Sequence, residues 1–200
     1  MAQRRIPHEL GATTGDDAMS ELKPWKRLGS RELYRQDRVS VREDLLEVPG
    51  GRRLGYPVMA LGSSVGVLAF LTADQVLLVR QYRHVTGDFS WEIPGGGIGA
   101  GEAVADAAQR ELREEAGYRA GRLRALGSFW PNNAYLDEVI HVYVAEDLVP
   151  DPLPADQDEH LEVRAFPLSE AVAMARDDRI TCGLTKLALL WAALDAPGRR

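Results

Sequence analysis

The sequence predicts an α/β protein, and three observations support this fold class. Short β-prone runs separated by turn signals occupy the chain from about Arg31 onward. An alanine-rich stretch over residues 101–117 contains nothing that forbids a helix. Two further helical patterns follow, one near Ser169 and one over residues 184–194. At 200 residues and 45% hydrophobic, the chain can bury a core as one domain with a small appended element.

The β-prone runs define the first part of the chain. Residues 1–22 are polar, rich in glycine and without periodicity, which favours a mobile tail. We expect residues 23–61 to form an N-terminal β segment and residues 62–196 to form the main domain. Turn signals at Pro49-Gly50-Gly51 and Ala73-Asp74 separate the runs, as hairpins require. The runs "SVGVLAFL" and "QVLLV" are apolar throughout, which predicts central strands covered on both faces.

The C-terminal part contains a loop and two helices. Residues 150–159, "PDPLPADQDE", hold three prolines and four acids, which predicts a loop. Ser169 is a candidate N-cap for the helix that continues through "EAVAMAR". In the last helix, apolar residues recur every three to four positions and form one face. They are Leu184, Leu187, Ala188, Trp191 and Leu194.

Composition excludes several classes of function. With 24 Lys and Arg against 30 Asp and Glu, the net charge of -6 argues against binding to nucleic acid or to an anionic membrane. The single cysteine, Cys182, excludes an internal disulfide and fits a reducing compartment. No run approaches the ~18 apolar residues of a membrane span, and no secretion signal is recognised, so we expect a cytoplasmic protein. Three histidines share no ligand spacing and are interpreted as structural or solvated: His84, His141 and His160.

The helix over residues 101–117 places carboxylates where a core is expected. Its apolar side carries Val104, Ala107, Ala108 and Leu112. Three carboxylates fall within about 100° on that side, which are Glu111, Glu114 and Glu115. The opposite side carries Asp106, Gln109, Arg110 and Arg113. Because three like charges beside a core are costly, we expect a cation between them.

The loop that precedes this helix strengthens the case for a metal. Pro94 to Gly97 follow "FSWEI", a probable strand, and glycines there let the main chain approach a ligand closely. A loop carbonyl and carboxylate oxygens suit a hard divalent cation, and Mg²⁺ is the usual choice when the ion must also hold phosphate. The alternative is a solvated acidic face with intrahelical ion pairs such as Arg110 to Glu114.

The spacing of these residues resembles the Nudix box. The box reads glycine, five residues, glutamate, seven residues, then Arg-Glu-aliphatic-any-Glu-Glu-any-Gly-aliphatic. The chain supplies Gly96, Glu102, Arg110, Glu111, Leu112, Glu114, Glu115 and Gly117, with Tyr118 in the last place. The runs "LLVRQYRH", "SWEIPGGGI", "DEVIHVYVAEDL" and "EHLEVRAFPLSEA" are similar to the ADP-ribose pyrophosphatase branch of the Nudix hydrolases. In "FWPNNAYLDE", Asn132 and Asn133 depart from that branch, where serine, proline or glycine is usual.

The resemblance implies both a fold and a reaction. The fold is an α/β/α sandwich around a mixed sheet, with an N-terminal antiparallel β segment that forms a homodimer through residues 31–61. The reaction is metal-dependent hydrolysis of a nucleoside diphosphate linked to another moiety, foremost ADP-ribose to AMP and ribose 5-phosphate, with Mg²⁺ or Mn²⁺. The alternatives are another nucleotide sugar or a dinucleotide as substrate, a non-catalytic nucleotide sensor of the same fold, and an acidic interaction module.

The resemblance also implies roles for the acidic residues. The main metal site would comprise Glu111, Glu115 and the carbonyl of Gly95, with Glu114 as a further ligand. Glu102 would orient the cluster through Arg110 or contact a metal through water. The general base would lie in the later acidic loop, where Glu159 is the candidate and Asp158 and Glu162 are competitors.

Substrate contacts are expected from arginine and aromatic side chains. Arg80 and Arg83 flank Tyr82 near the end of a strand, and we expect alternation to place both arginines on one face, where they could hold phosphate or ribose. Surface ion pairs are the alternative. Trp130 or Tyr135 could stack on a base, although single aromatics near apolar runs more often belong to the core or its rim.

Overall fold

The computed structural model describes residues 23–154 and 160–195. The first sheet of this structure is antiparallel and has three strands. Its strands, in spatial order, are β1 (Lys26–Gln36), β2 (Val39–Glu47) and β3 (Arg53–Ala60). The turn predicted at Pro49-Gly50-Gly51 is confirmed, because Gly50 and Gly51 adopt φ values of 91° and 83° between β2 and β3. Between β1 and β2 the chain turns back at Asp37, whose φ is 50°.

The second sheet has seven strands and is mixed. They are β4 (Ser63–Phe70), β5 (Gln75–Arg83), β6 (Asp88–Glu92), β7 (Gly95–Gly97), β8 (Tyr118–Phe129), β9 (Val139–Pro150) and β10 (Glu162–Pro167). The main order is β10-β5-β4-β9-β8, with β6 paired to β5 and β7 paired to β4. Strands β4 and β9 are parallel, and the other pairs are antiparallel.

Helices cover both faces of this larger sheet. Helix α1 (Val104–Glu115) packs on one face, and α2 (Leu168–Arg176) and α3 (Gly183–Asp195) pack on the other. Alternation along β4 separates the two cores, because Val67 packs beside α1 whereas Leu68 packs beside α2 and α3. The predicted α/β/α sandwich is confirmed, and so is the prediction that β4 and β5 are central strands.

The helix boundaries lie close to those that the sequence predicts. Helix α1 ends two residues before Gly117, whose φ of 78° is the left-handed conformation expected of a glycine past a helix end. The prediction that Ser169 caps α2 is wrong. The helix begins one residue earlier, at Leu168, and no side chain caps it. Pro167, with φ fixed at -53°, sets this boundary directly after β10.

Helix α1 is joined to the outermost strand of the sheet by Gln109. The side-chain Nε2 donates to the carbonyl of Ala120 at 2.9 Å, and Oε1 accepts from the N–H of Ala120 at 3.0 Å. One amide side chain therefore pairs with both backbone groups of one residue on β8. This contact fixes the rotation of the helix that carries the Nudix-box glutamates.

The N-terminal sheet is far more exposed than the larger one. Every residue of β1 is exposed, and Leu33 and Tyr34 show 52% and 53% of their surface to solvent. Trp25, just before β1, is 52% exposed. The division of the chain at residues 61 and 62 stays a prediction, and the predicted tail, residues 1–22, lies outside the described residues.

Candidate active site

Arg110 lies at the centre of the carboxylate cluster. Its Nε donates to Glu102 Oε1 at 2.9 Å, and its Nη2 donates to Glu102 Oε2 at 3.1 Å. Its Nη1 donates to Glu111 at 2.8 Å and to Glu114 at 2.9 Å. Nη2 also donates to the carbonyl of Gly97 at 2.9 Å. One guanidinium therefore connects the glutamate helix, Glu102 and the glycine loop.

The position of the Arg110 guanidinium differs from the one expected from helix periodicity, which places Arg110 on the side of the helix away from the carboxylates. The long side chain extends round the helix to the carboxylates. The protein itself therefore supplies part of the positive charge that the cluster requires. The hydrogen bonds that Arg110 donates to Glu102, and further ones to Glu111 and Glu114, raise the pKa of Arg110 above its usual value. In return Arg110, and then the N–H of Gly99, lower the pKa of Glu102. Glu102 thus has the contact that its predicted orienting role requires.

Glu111 and Glu115 are the most deeply placed carboxylates of the box. They are 7% and 5% exposed. Glu115 Oε2 accepts a hydrogen bond from the N–H of Gly95 at 2.8 Å. A Cβ atom on Gly96 would lie 2.6 Å from Glu111 Oε1. Glycine at position 96 is therefore what allows the loop to lie directly against the Glu111 carboxylate.

The residues at this point fit a divalent cation by their chemistry. Two buried carboxylates meet the backbone of the glycine loop, and oxygen donors are the ligands that Mg²⁺ and Mn²⁺ prefer. Among residues 23–154 and 160–195, no three His, Cys, Asp or Glu side chains are already spaced around a metal position. Arg110 explains this, because it holds Glu111 and Glu114. A metal would compete with this guanidinium for the same carboxylate oxygens.

Strand β5 places the two candidate arginines on opposite faces of the sheet. Its register with β6 is unbroken from Val79 to Arg83. Residues three apart on a regular strand point in opposite directions, so the expectation that Arg80 and Arg83 share a face is wrong. Arg80 lies over the ring of Phe89 at 4.9 Å and pairs with Glu162 at 3.6 Å. Arg80 thus forms the surface ion pair that was the alternative, and it also contacts an aromatic ring.

Arg83 lies on the face that α1 covers. Its guanidinium binds Glu92 through two hydrogen bonds, Nε to Oε1 at 2.9 Å and Nη2 to Oε2 at 2.5 Å. These bonds are the main reason why the pKa of Arg83 is raised, and Cys182 and then Glu115 add smaller contributions. Glu92 was not among the site residues predicted from the sequence. Its signal was a carboxylate within the buried strand "FSWEI", immediately before the glycine loop.

The aromatic candidates lie between β8 and β9. Trp130 and Tyr135 are 46% and 50% exposed. Tyr135 stacks on Tyr56, with ring centroids 5.8 Å apart, and Trp25 meets Tyr56 edge-on at 6.0 Å. Trp130 makes no ring contact within the part of the chain that the structure describes. Tyr135 is thus occupied by the N-terminal sheet, whereas Trp130 stays a candidate for stacking on a base.

The same loop is fastened to the N-terminal sheet by residues that local sequence patterns did not reveal. Asp137 Oδ2 pairs with Arg42 Nη1 at 2.9 Å, and Asp137 Oδ1 accepts from the N–H of Leu61 at 3.2 Å. Met59 donates its N–H to the carbonyl of Tyr135 at 2.8 Å and accepts from the N–H of Asp137 at 3.1 Å. The N-terminal sheet therefore shapes the loop that follows β8.

The candidates for the general base are acidic residues near position 160. Glu159 and Asp158 lie outside the described residues, and Glu162 is exposed beside Arg80.

Burial, and then the charge of Glu92, raise the pKa of Cys182, so its thiol stays protonated as a structural residue would. Burial lowers the pKa of His141, which favours the neutral imidazole. No helix in the described ranges is long and apolar enough to cross a membrane.

Comparison with known proteins identifies the family. A model of the NUDIX domain matches residues 61–182, more than half of the chain. The chain belongs to the NUDIX family. An ADP-ribose pyrophosphatase of Bacillus subtilis (strain 168) is 26% identical over 84% of this chain and 92% of its own. The ADP compounds hydrolase NudE of Escherichia coli (strain K12) is 31% identical over 66% of this chain and 72% of its own.

Two further similarities are informative. A methanol dehydrogenase activator of Bacillus methanolicus is 29% identical over 88% of this chain and 96% of its own. The crystal structure of an ADP compounds hydrolase superposes with a TM-score of 0.81 at 27% identity, covering 91% of this chain and 100% of that chain. Together with the domain match, the hydrolase relatives confirm the prediction of a Nudix pyrophosphohydrolase.

Proposed function

We propose that the protein hydrolyses the diphosphate bond of ADP-ribose, releasing AMP and ribose 5-phosphate, with Mg²⁺ as its metal and Mn²⁺ as a substitute. The observation that carries the proposal is the folded Nudix box, in which buried Glu111 and Glu115 lie against the glycine loop. The choice of substrate draws on relatives named ADP-ribose pyrophosphatase in Bacillus subtilis and Mycobacterium tuberculosis.

The reaction requires positive charge that the protein as a whole does not offer. ADP-ribose carries two negative charges on its diphosphate, whereas the chain has a net charge of -6. A bound divalent cation would neutralise the diphosphate and favour ionisation of the attacking water. Glu111, Glu115 and the carbonyl of Gly95 would hold it, with Glu114 as a further ligand. Arg110 would have to release the oxygens of Glu111 and Glu114 that the cation binds.

The protein's own residues would perform the remaining tasks. Arg110, fixed by Glu102, donates to both Glu111 and Glu114 and so orients these helix carboxylates before the substrate arrives. Arg83 lies on the same face and would bind phosphate oxygens through its unused donors. Glu159 would take the proton from the attacking water, because in sequence it comes three residues before β10, which pairs with β5.

We also propose that the enzyme acts as a homodimer in the cytoplasm. A fully exposed β1, with Leu33 and Tyr34 more than half exposed, leaves apolar surface that a second copy could cover. The sheet that carries β1 also holds the loop of Tyr135 and Asp137, so residues near the substrate would depend on the interface. A particle of one 22.0 kDa chain in light scattering at micromolar concentration would reject the dimer.

The substrate is tested with a panel of compounds. ADP-ribose, other nucleotide sugars, dinucleoside polyphosphates, NADH and oxidised nucleoside triphosphates are incubated with Mg²⁺ or Mn²⁺, and the products are separated. We expect the highest kcat/KM with ADP-ribose. Preference for another nucleoside diphosphate would reassign the substrate within the family. No turnover with any compound would reject the enzyme proposal and favour the non-catalytic sensor.

A further inference from the structure

Glu92 is a buried carboxylate for which the reaction as described has no use. It is 6% exposed and ends β6, two residues before Pro94 and the glycine loop. A carboxylate this deeply placed is stable as an anion only when a cation and hydrogen bonds compensate its lost hydration. Arg83 supplies both.

The contact between Glu92 and Arg83 leaves part of the guanidinium open. Nε and Nη2 of Arg83 point at the two carboxylate oxygens, and such a two-bond contact fixes the plane of the guanidinium. The Arg83 side chain is 46% exposed, whereas the Glu92 side chain is 8% exposed. Nη1 makes no hydrogen bond within the described ranges. The buried edge is therefore held by Glu92, and the other edge is available to a ligand.

The pair of Arg83 and Glu92 lies near Glu115, one of the carboxylates proposed to hold the metal. Arg83 lies on the α1 face of β5, the face on which Glu115 lies. Glu115 is held by the N–H of Gly95, only three residues beyond Glu92. The carboxylate that anchors Arg83 and the backbone that anchors Glu115 thus belong to one short segment of chain. A phosphate between the metal and Arg83 would be contacted from both sides.

We infer that Glu92 is a positioning residue, which holds Arg83 so that Nη1 faces a phosphate oxygen of the nucleoside diphosphate. This inference rests on the proposed function, because it assumes that Arg83 contacts the diphosphate. An arginine that is fixed before the substrate arrives loses little freedom on binding. Loss of Glu92 should therefore weaken substrate binding more than it slows the chemical step.

The first test is a double-mutant cycle with Glu92→Gln and Arg83→Lys. Glutamine keeps the volume of Glu92 but sets an NH₂ group against an arginine donor, and lysine keeps charge but cannot form the two-bond contact. We expect E92Q to raise KM for ADP-ribose about tenfold and to change kcat less than about threefold. In the R83K background, the same substitution should change KM less than about twofold.

Two outcomes of the cycle would overturn the inference. One is an unchanged KM in E92Q, with only a lower melting temperature, which would leave Glu92 a purely structural role. The other is equal effects of E92Q in both backgrounds. Glu146→Gln is the matched control, because Glu146 forms a comparable ion pair with Arg122 at 3.0 Å between β8 and β9. The control should leave KM unchanged.

The second test needs no turnover and separates this inference from the proposed function. The dissociation constant of ADP is measured by calorimetry with Mg²⁺ for the same four proteins. Coupled effects on ADP binding, without turnover of any panel substrate, would reject the proposed function and support the role of Glu92. Turnover of ADP-ribose with additive effects would do the reverse. If R83K does not fold, Arg83→Met takes its place in the cycle, both alone and combined with Glu92→Gln, and the combination removes both charges of the pair.

Discussion

The two sheets of this molecule differ in what covers them. In the seven-stranded sheet, Val67 and Leu68 are both 0% exposed although they face opposite sides, because α1 covers one face and α2 and α3 cover the other. In the three-stranded sheet, β1 is exposed along its whole length. Similar β-prone runs thus form two different sheets. Helices of the same chain cover the seven-stranded sheet, whereas strand β1 of the three-stranded sheet would need a second chain to cover it. The predictions below test whether these two regions depend on each other.

Removal of the N-terminal sheet should have the largest effect. We expect a chain that lacks residues 1–61 to be monomeric and inactive, because the loop of Tyr135 and Asp137 loses its contacts with Met59 and Arg42. Light scattering and the ADP-ribose assay check the two effects. Removal of residues 1–22 alone is the control and should preserve both mass and activity. Full activity in a monomer that lacks residues 1–61 would show that the two regions are independent.

Glu115→Gln should have the next largest effect and is confined to the larger sheet. Glutamine keeps the shape and removes the charge, so we expect kcat to fall at least about 100-fold. The fold should survive, with equal or higher thermal stability, because repulsion among the box carboxylates decreases. An active variant with unchanged metal dependence would contradict the assignment. Light scattering of this variant should still report the mass of the wild-type particle.

Arg110→Gln should change metal dependence and turnover in opposite directions. Without the guanidinium, Arg110 no longer competes with a cation for the oxygens of Glu111 and Glu114, so the half-saturating Mg²⁺ concentration should fall. The carboxylates also lose their fixed orientation, so kcat should fall about tenfold. Titration of activity with Mg²⁺ measures both quantities. A higher half-saturating concentration would mean that Arg110 assists metal binding instead of competing with it.

Glu102→Gln should have the smallest effect, visible in the pH dependence of stability. Arg110 and the N–H of Gly99 lower the pKa of folded Glu102 below its ordinary value of 4.5. The stabilisation is therefore fully present above about pH 4.5 and is lost as the pH falls through the folded pKa. Melting temperatures of wild type and variant should differ by a few degrees near pH 7 and converge in acid. A difference that stays constant as the pH falls ever further below 4.5 would point to a cause other than ionisation.

The sequence predicted the features that depend on local spacing. The Nudix box, the glutamates on the core side of α1 and the central strands all follow from the period of a helix or from continuous apolar runs. Contacts between distant segments were not predictable in this way. Arg42 and Asp137 are 95 positions apart, and nothing in either local pattern indicates the other. The arginines of β5 are a different case, because strand alternation alone, correctly applied, separates Arg80 from Arg83.

The amide of Gln109 also determines where the large sheet stops. Strand β8 lies at the end of the sheet, and an end strand normally presents free N–H and C=O groups to which another chain can add. At Ala120 both of these groups are already bonded to Gln109. A further strand could not continue the hydrogen-bond ladder past this residue. The helix that carries the glutamates thus also blocks the addition of a further strand at this point of the sheet edge.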